Sequence, residues 1–201
     1  MRADSIAFAL SGILFGVIVG WILGSQQASS PRGAAAAPTP PLAAASESRA
    51  PAPPLDEARL KTLVAAAGNE PANPEPRVQL GNLYFDAERY TDAVQWYEDA
   101  LRLRPKDANV STDLGVAYYY TNQPDRAIQQ FEESLKFDPA HTKTMLNMGI
   151  VKAFGKQDLA GASAAWQQVI AVAPNSPEAL AARKALEGLK QAHPGGGPSG
   201  S

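Results

Sequence analysis

The side chains that usually carry chemistry are scarce in this sequence. It has no cysteine and only two histidines, His141 and His193, which stand 52 positions apart. That excludes a disulfide framework, an iron–sulfur cluster and a thiol nucleophile, and leaves no histidine spacing suited to zinc or to a catalytic triad. Carboxylates do pair, as Glu98 with Asp99 and Glu132 with Glu133, but they fall beside Arg and Lys on the exposed face of helical patterns, as a solvated surface does. No glycine-rich phosphate loop is present. The 201 residues carry 18 Lys plus Arg against 20 Asp plus Glu, a net charge of -2, which is not the balance of a phosphate binder. The expectation is no enzyme, no cofactor, no metal, no small-molecule substrate and no nucleic-acid partner. Binding is what remains, and it depends on the elements that present a surface.

Those elements repeat. At an offset of 34 the chain superposes Leu80 on Leu114 and Met148, Gly81 on Gly115 and Gly149, and Tyr84 on Tyr118. The same offset carries Ala93 onto Ala127, Tyr97 onto Phe131, Ala100 onto Ser134, Leu101 onto Leu135 and Pro105 onto Pro139. In the third copy the match resumes one residue late, at Ala162, Trp166, Val169, Ile170 and Pro174, which puts an inserted residue between Gln157 and Ala162. Glycine inside a helical pattern costs up to about 1 kcal/mol relative to Ala. Its return at one phase implies that two helix backbones approach closely there, with Ala93, Ala127 and Ala162 as the small partners and Tyr97, Phe131 and Trp166 filling the space beside them. Proline then ends each second helix.

This pattern resembles the tetratricopeptide repeat family, whose unit is a pair of antiparallel helices. The resemblance covers repeats at 74–107, 108–141 and 142–176. Arg77, Ser111 and Met145 stand where the family often has Trp, and Lys152 replaces the aromatic of the third copy. The implied fold is an all-α superhelix of helix-turn-helix units whose first helices line a concave groove. Carried over, the groove residues are Asn82, Phe85 and Asp86, then Asn109, Thr112, Val116, Tyr119 and Tyr120, then Lys143, Leu146, Ile150 and Phe154, with Glu75, Val78 and Ala153 completing the set. Phe85, Tyr119, Tyr120 and Phe154 would anchor a protein or extended-peptide partner, since aromatics dominate binding hot spots. Some of them could instead pack against the incoming helix. The family's clamp for acidic C-terminal tails needs two Lys, two Asn and one Arg; only Asn82 and Lys143 match, with Val78, Asp113 and Asn147 in the other places.

Both ends of the array extend. Residues 55–73 read as the second half of an incomplete repeat, because Leu63, Ala66 and Pro71 precede Tyr97, Ala100 and Pro105 by 34. Residues 177–192 read as a capping helix with Ser176 as N-cap and Pro177 at its first position, covering the last repeat with Leu180, Ala182, Leu186 and Leu189. Residues 193–201 are a flexible tail, in which His193 is a bystander.

Ahead of the array, 5–24 contains 20 positions without a charge, enough for a helix of about 30 Å that spans a bilayer. A cleaved signal peptide is the alternative, but the apolar stretch is long for one and no A-x-A-like site follows it. Arg2 and the terminal amine precede the segment, and the first later positive charge is Arg32, so 1–4 is expected in the cytoplasm and the repeats outside it. The expected placement is the inner (cytoplasmic) membrane, single-pass, with the repeats facing the periplasm or exterior. Gly12, Gly16, Gly20 and Gly24 recur every fourth residue, a small-residue stripe suited to pairing with another membrane helix or to self-association. Residues 25–54, in which Ala, Pro and Ser fill 22 of 30 positions, read as a disordered tether. It would reach about 30 Å as a coil and about 93 Å as extended polyproline II. This anchor-plus-repeats architecture is similar to that of bacterial accessory factors of cytochrome c biogenesis and of ancillary secretion subunits. The function expected is an adaptor or scaffold that holds a protein partner during assembly of an envelope complex, with an oligomeric structural scaffold as the alternative.

Overall fold

A computed structural model describes residues 52–192, and their regular structure is entirely helical. Eight helices follow one another: α1 Glu57–Asn69, α2 Glu75–Asp86, α3 Tyr90–Leu103, α4 Ala108–Tyr120, α5 Pro124–Phe137, α6 Thr142–Ile150, α7 Leu159–Val172 and α8 Pro177–Ala192. A π-helical turn, Val151–Gly155, extends α6. Pairs α2/α3, α4/α5 and α6/α7 fall within 74–107, 108–141 and 142–176, α1 within 55–73, and α8 spans 177–192. The expected membrane helix, nearly all of the tether and the tail lie outside the described residues. Among the described residues no helix is long and apolar enough to cross a membrane.

Local chemistry sets the helix limits. Asp56, Asp107, Asp158 and Ser176 each accept a hydrogen bond from the backbone N–H three residues on, at 2.9, 3.1, 2.8 and 3.0 Å. Each bond satisfies a donor that the first helical turn leaves open, and each is worth about 1 kcal/mol. At the other ends Arg104, Asp138 and Ala173, the residues before Pro105, Pro139 and Pro174, leave helical geometry, with φ of -132°, -133° and -142°. Proline excludes helical geometry from the residue before it, so α3, α5 and α7 stop there.

The close approach at glycine is real, but its partner is the aromatic ring and not the alanine. A methyl group on Gly81 would lie 2.5 Å from the Tyr97 ring, and methyls on Gly115 and Gly149 would overlap Phe131 and Trp166 in the same way. All three rings are almost wholly buried, and the Trp166 indole donates to the Leu146 carbonyl at 3.2 Å. Ala93, Ala127 and Ala162 are fully buried one turn before the rings, where a larger side chain would hold the helices apart. The three vacated tryptophan positions are put to other use. Ser111 is buried and accepts from the Gln130 amide at 2.8 Å, Met145 is buried, and Arg77 donates to the carbonyls of Asn73 and Ala67.

The inserted residue lies upstream of the expected place. The turns between paired helices each hold one residue at positive φ: Glu88 at 56°, Asn122 at 60° and Gln157 at 56°. Gln157 follows Asn122 by 35 positions, so the extra residue already precedes it. Hydrogen bonds narrow the interval. Arg89 N–H reaches the Tyr84 carbonyl and Gln123 N–H the Tyr118 carbonyl, each across five residues, whereas Asp158 N–H reaches Lys152 across six. The π turn absorbs the addition within α6, as such turns do.

The two ends solve different problems. α1 packs on α2 through Leu63 and Ala67 against Leu80 and Leu83, flanked by Leu55, Leu60, Tyr84 and Trp96. α8 stands where the first helix of another repeat would begin. The positions that carry Met148, Gly149 and Lys152 in the third repeat carry Arg183, Lys184 and Glu187 here, all exposed. The same geometry corrects Leu180: it is 53 % exposed, and Ala179, Ala181, Ala182 and Ala185 make the buried face instead. Gly115→Ala should therefore destabilise the repeats by about 1–3 kcal/mol through overlap with Phe131, despite the better helix former. Gly68→Ala, with nothing within 4 Å, should stabilise them by about 0.5 kcal/mol. Urea denaturation midpoints of the two variants check the contrast.

Candidate protein-binding groove

The first helices α2, α4 and α6 carry the predicted groove residues, and their packing sorts those residues into three groups. Phe85, Thr112, Val116 and Ile150 are buried, so they are corrected from contact residues to packing residues. The reason is the contact between successive repeats, which closes the neighbour-facing positions of each first helix. Asn82, Tyr119, Tyr120, Lys143 and Leu146 are half-buried. Asp86, Asn109 and Phe154 are exposed, Phe154 by 51 %.

Around Phe85 the structure builds an aromatic cluster. Phe85 meets Tyr90 edge-on at 5.1 Å and Tyr120 edge-on at 5.6 Å, and Tyr90 and Tyr120 stack at 4.5 Å with their planes 16° apart. Tyr119 continues the run at 5.8 Å from Tyr120 and lies against Gly155 of the π turn, where a methyl group would sit 3.1 Å from its ring. The cluster thus joins the first and second repeats and reaches the third. Burial raises the Tyr119 phenol above its ordinary range, so it stays a neutral donor and acceptor. Repeat spacing does not point to Tyr90, because it opens a second helix, α3, whereas the family's groove positions lie on first helices. The signal that could have found it is the apolar character of its counterparts Pro124 and Leu159.

The polar positions are largely engaged within the protein. Asn82 Oδ1 accepts from the Tyr97 hydroxyl at 2.7 Å, giving that buried phenol its partner. Burial holds the Tyr97 phenol far above its usual range, with the nearby carboxylates of Asp113 and Asp86 adding to the effect. Lys143 Nζ is 2.7 Å from Asp113 Oδ1, a bridge between the second and third repeats. Asn109 Oδ1 lies 3.1 Å from His141 Nε2. Partial loss of hydration beside the neighbouring helices raises the pKa of the Asp86 carboxyl although the residue as a whole is exposed, and Arg59 opposes that shift. Away from these residues, Tyr118 donates to Glu98 at 2.5 Å, and Arg126 stacks over the Tyr118 ring at 4.0 Å, fastening α4 to the helices on either side.

Residues 81–122 match a family model described as TPR repeat, and residues 108–141 one described as tetratricopeptide repeat. The fold is that of the tetratricopeptide repeat. Solved structures agree. The first TPR of Spaghetti (RPAP3), bound to the HSP90 peptide SRMEEVD, superposes with a TM-score of 0.54 at 22% identity over 60% of this chain and 92% of that one. The first TPR domain of human RPAP3 gives 0.55 at 23% identity, over 61% and 93%. MamA residues 41 to the end, from Desulfovibrio magneticus RS-1, give 0.58 at 22% identity, over 66% and 73%. Likeness at such identities establishes a shared fold and no more. A search of curated proteins yields no significant match.

The tetratricopeptide geometry assigns Asn82 to its own hairpin, and stability can test that. Asn82→Ala would leave the Tyr97 hydroxyl buried without its partner, at a cost of about 1–3 kcal/mol. A thermal or urea unfolding midpoint unchanged from the parent would mean that Asn82 is a surface residue after all.

Proposed function

We propose that the repeats hold an extended peptide or a partner protein against the aromatic run Tyr90–Tyr120–Tyr119 and the neighbouring Phe154, and that the chain acts as an adaptor and not as a catalyst. The observation that carries this reading is the aromatic cluster itself. Its rings are fixed by mutual contact at 4.5 to 5.8 Å, and the three tyrosines keep part of their surface open, so little entropy is lost when a partner covers them. A related fold holding the peptide SRMEEVD supports peptide binding as a mode available to such repeats.

The ligand differs from an acidic tail. Of the clamp residues, Asn82 is engaged by Tyr97, Lys143 by Asp113, and Asn147, in place of the required cation, is buried. The groove presents aromatic and aliphatic surface beside the exposed carboxylate of Asp86, which favours an apolar segment over a polyanion.

Membrane attachment belongs to the same proposal and rests on the sequence. The uncharged stretch 5–24 would anchor the chain in the inner membrane, and 25–54 would let the repeats work outside it, during assembly of an envelope complex such as cytochrome c maturation or secretion. The stripe Gly12, Gly16, Gly20 and Gly24 favours a second reading, an oligomeric scaffold paired through the membrane.

Affinity capture of envelope proteins with the parent chain and with a Tyr119→Ala, Tyr120→Ala variant separates the two. Groove binding predicts that the variant loses partner affinity tenfold or more, about 1.4 kcal/mol, with its fold intact. Equal recovery by both forms would count against the groove, and self-association alone would favour the scaffold.

A further inference from the structure

Three hydroxyls from three helices meet out of reach of solvent: Thr112 of α4, Ser134 of α5 and Thr144 of α6. Thr112 Oγ1 lies 2.5 Å from Thr144 Oγ1 and 3.3 Å from Ser134 Oγ, and Ser134 and Thr144 are 3.0 Å apart. The Ala108 carbonyl, at the first residue of α4, lies 2.7 Å from Thr112 Oγ1 and 3.0 Å from Ser134 Oγ. His141 stands at the rim of this cluster. Its Nδ1 is 2.6 Å from Thr144 Oγ1 and 3.4 Å from Thr112 Oγ1, and its Nε2 is 3.1 Å from Asn109 Oδ1.

Counting protons gives two complete arrangements. Asn109 Oδ1 can only accept, so Nε2 carries a hydrogen, and in the neutral ring Nδ1 accepts. Thr144 O–H then donates to Nδ1, while Thr112 and Ser134 donate to the Ala108 carbonyl. With a proton on Nδ1 the Thr144 hydroxyl turns round. Nδ1–H donates to Thr144 and Thr144 to the Thr112 oxygen, while Thr112 and Ser134 keep the Ala108 carbonyl. Every donor has an acceptor in both states, and only hydroxyl rotations separate them.

We propose that His141 and these hydroxyls form a proton-operated switch in the seam between the second and third repeats, in which a proton taken up at the rim turns the Thr144 hydroxyl from the ring onto Thr112. The ionic groups facing the ring are Asp113 of α4, Asp138 after α5, Lys143 of α6 and Glu178 of α8. The three carboxylates favour the cation, and Lys143 opposes it. Burial is the largest influence and holds the imidazole below its ordinary value of 6.5. As pH falls below 6.5 the unfolded chain therefore takes up the proton first. The stability contributed by the neutral ring is complete above that value and is lost as pH falls through the folded one. Acid thus loosens this seam, which also carries the Lys143–Asp113 bridge.

The full chain has two histidines, so ring proton spectra give two titrations, and a His193→Gln variant assigns them. The switch predicts that His141 titrates below 6.5 and that the Thr112 methyl shifts with the same midpoint. In Thr144→Val the Thr112 response vanishes while His141 still titrates. In His141→Gln, a change at the rim that leaves the buried hydroxyls in place, the response vanishes as well. A midpoint at or above 6.5 overturns the proposal, as does a Thr112 signal that stays still in the parent or keeps moving in Thr144→Val or His141→Gln.

Discussion

An aromatic ring laid on a glycine, once per repeat, is the contact from which the other features follow. Tyr97 on Gly81, Phe131 on Gly115 and Trp166 on Gly149 set the spacing of each helix pair. Each glycine costs its helix about 1 kcal/mol, and each buried ring recovers about 2–3 kcal/mol of apolar burial, so the exchange is favourable only while the ring stays seated. With the spacing set, Ala93, Ala127 and Ala162 become fully buried, and the next first helix has a surface on which to lie. The groove side of α2, α4 and α6 results from that stacking.

An array of this kind must keep register inside and stop cleanly at its ends. The extra residue of the third repeat could have shifted Trp166 off Gly149. Because α6 widens into a π turn beyond Gly149, the ring and glycine keep their places, and the extra residue is taken up within Val151–Gly155. Lys156 ties this end to Asp125 of α5 at 2.5 Å. At the C-terminus, the replacement of Met148, Gly149 and Lys152 by Arg183, Lys184 and Glu187 removes both the seat and the apolar face that a further helix would need.

Much of this was legible in residue spacing, because glycine, alanine, aromatic and proline each answer a local geometric demand that recurs at the same interval. The helix pairs, the half repeat, the cap at Ser176 and the stops before proline all follow from it. The partner of the glycine did not, because a ring and an alanine one turn apart on a helix are equally placed until the helix rotation is known. The insertion was misplaced because nothing between Lys152 and Ala162 matches the earlier repeats strongly enough to locate a gap. Burial of Phe85, Thr112, Val116 and Ile150 depends on how one repeat rotates on the next, which single-repeat spacing does not encode. Tyr90 and the polar cluster around His141 were hidden for the same reason, since each joins residues from different helices.

The seating of rings on glycines can be observed directly by nuclear magnetic resonance. Protons held over the face of an aromatic ring are shifted upfield by its ring current, and Gly68, where nothing lies within 4 Å of the Cβ position, supplies an internal reference. The Hα resonances of Gly81, Gly115 and Gly149 should all lie well upfield of those of Gly68. Hα shifts indistinguishable from Gly68 at the three sites would contradict the packing on which the repeats and their groove depend.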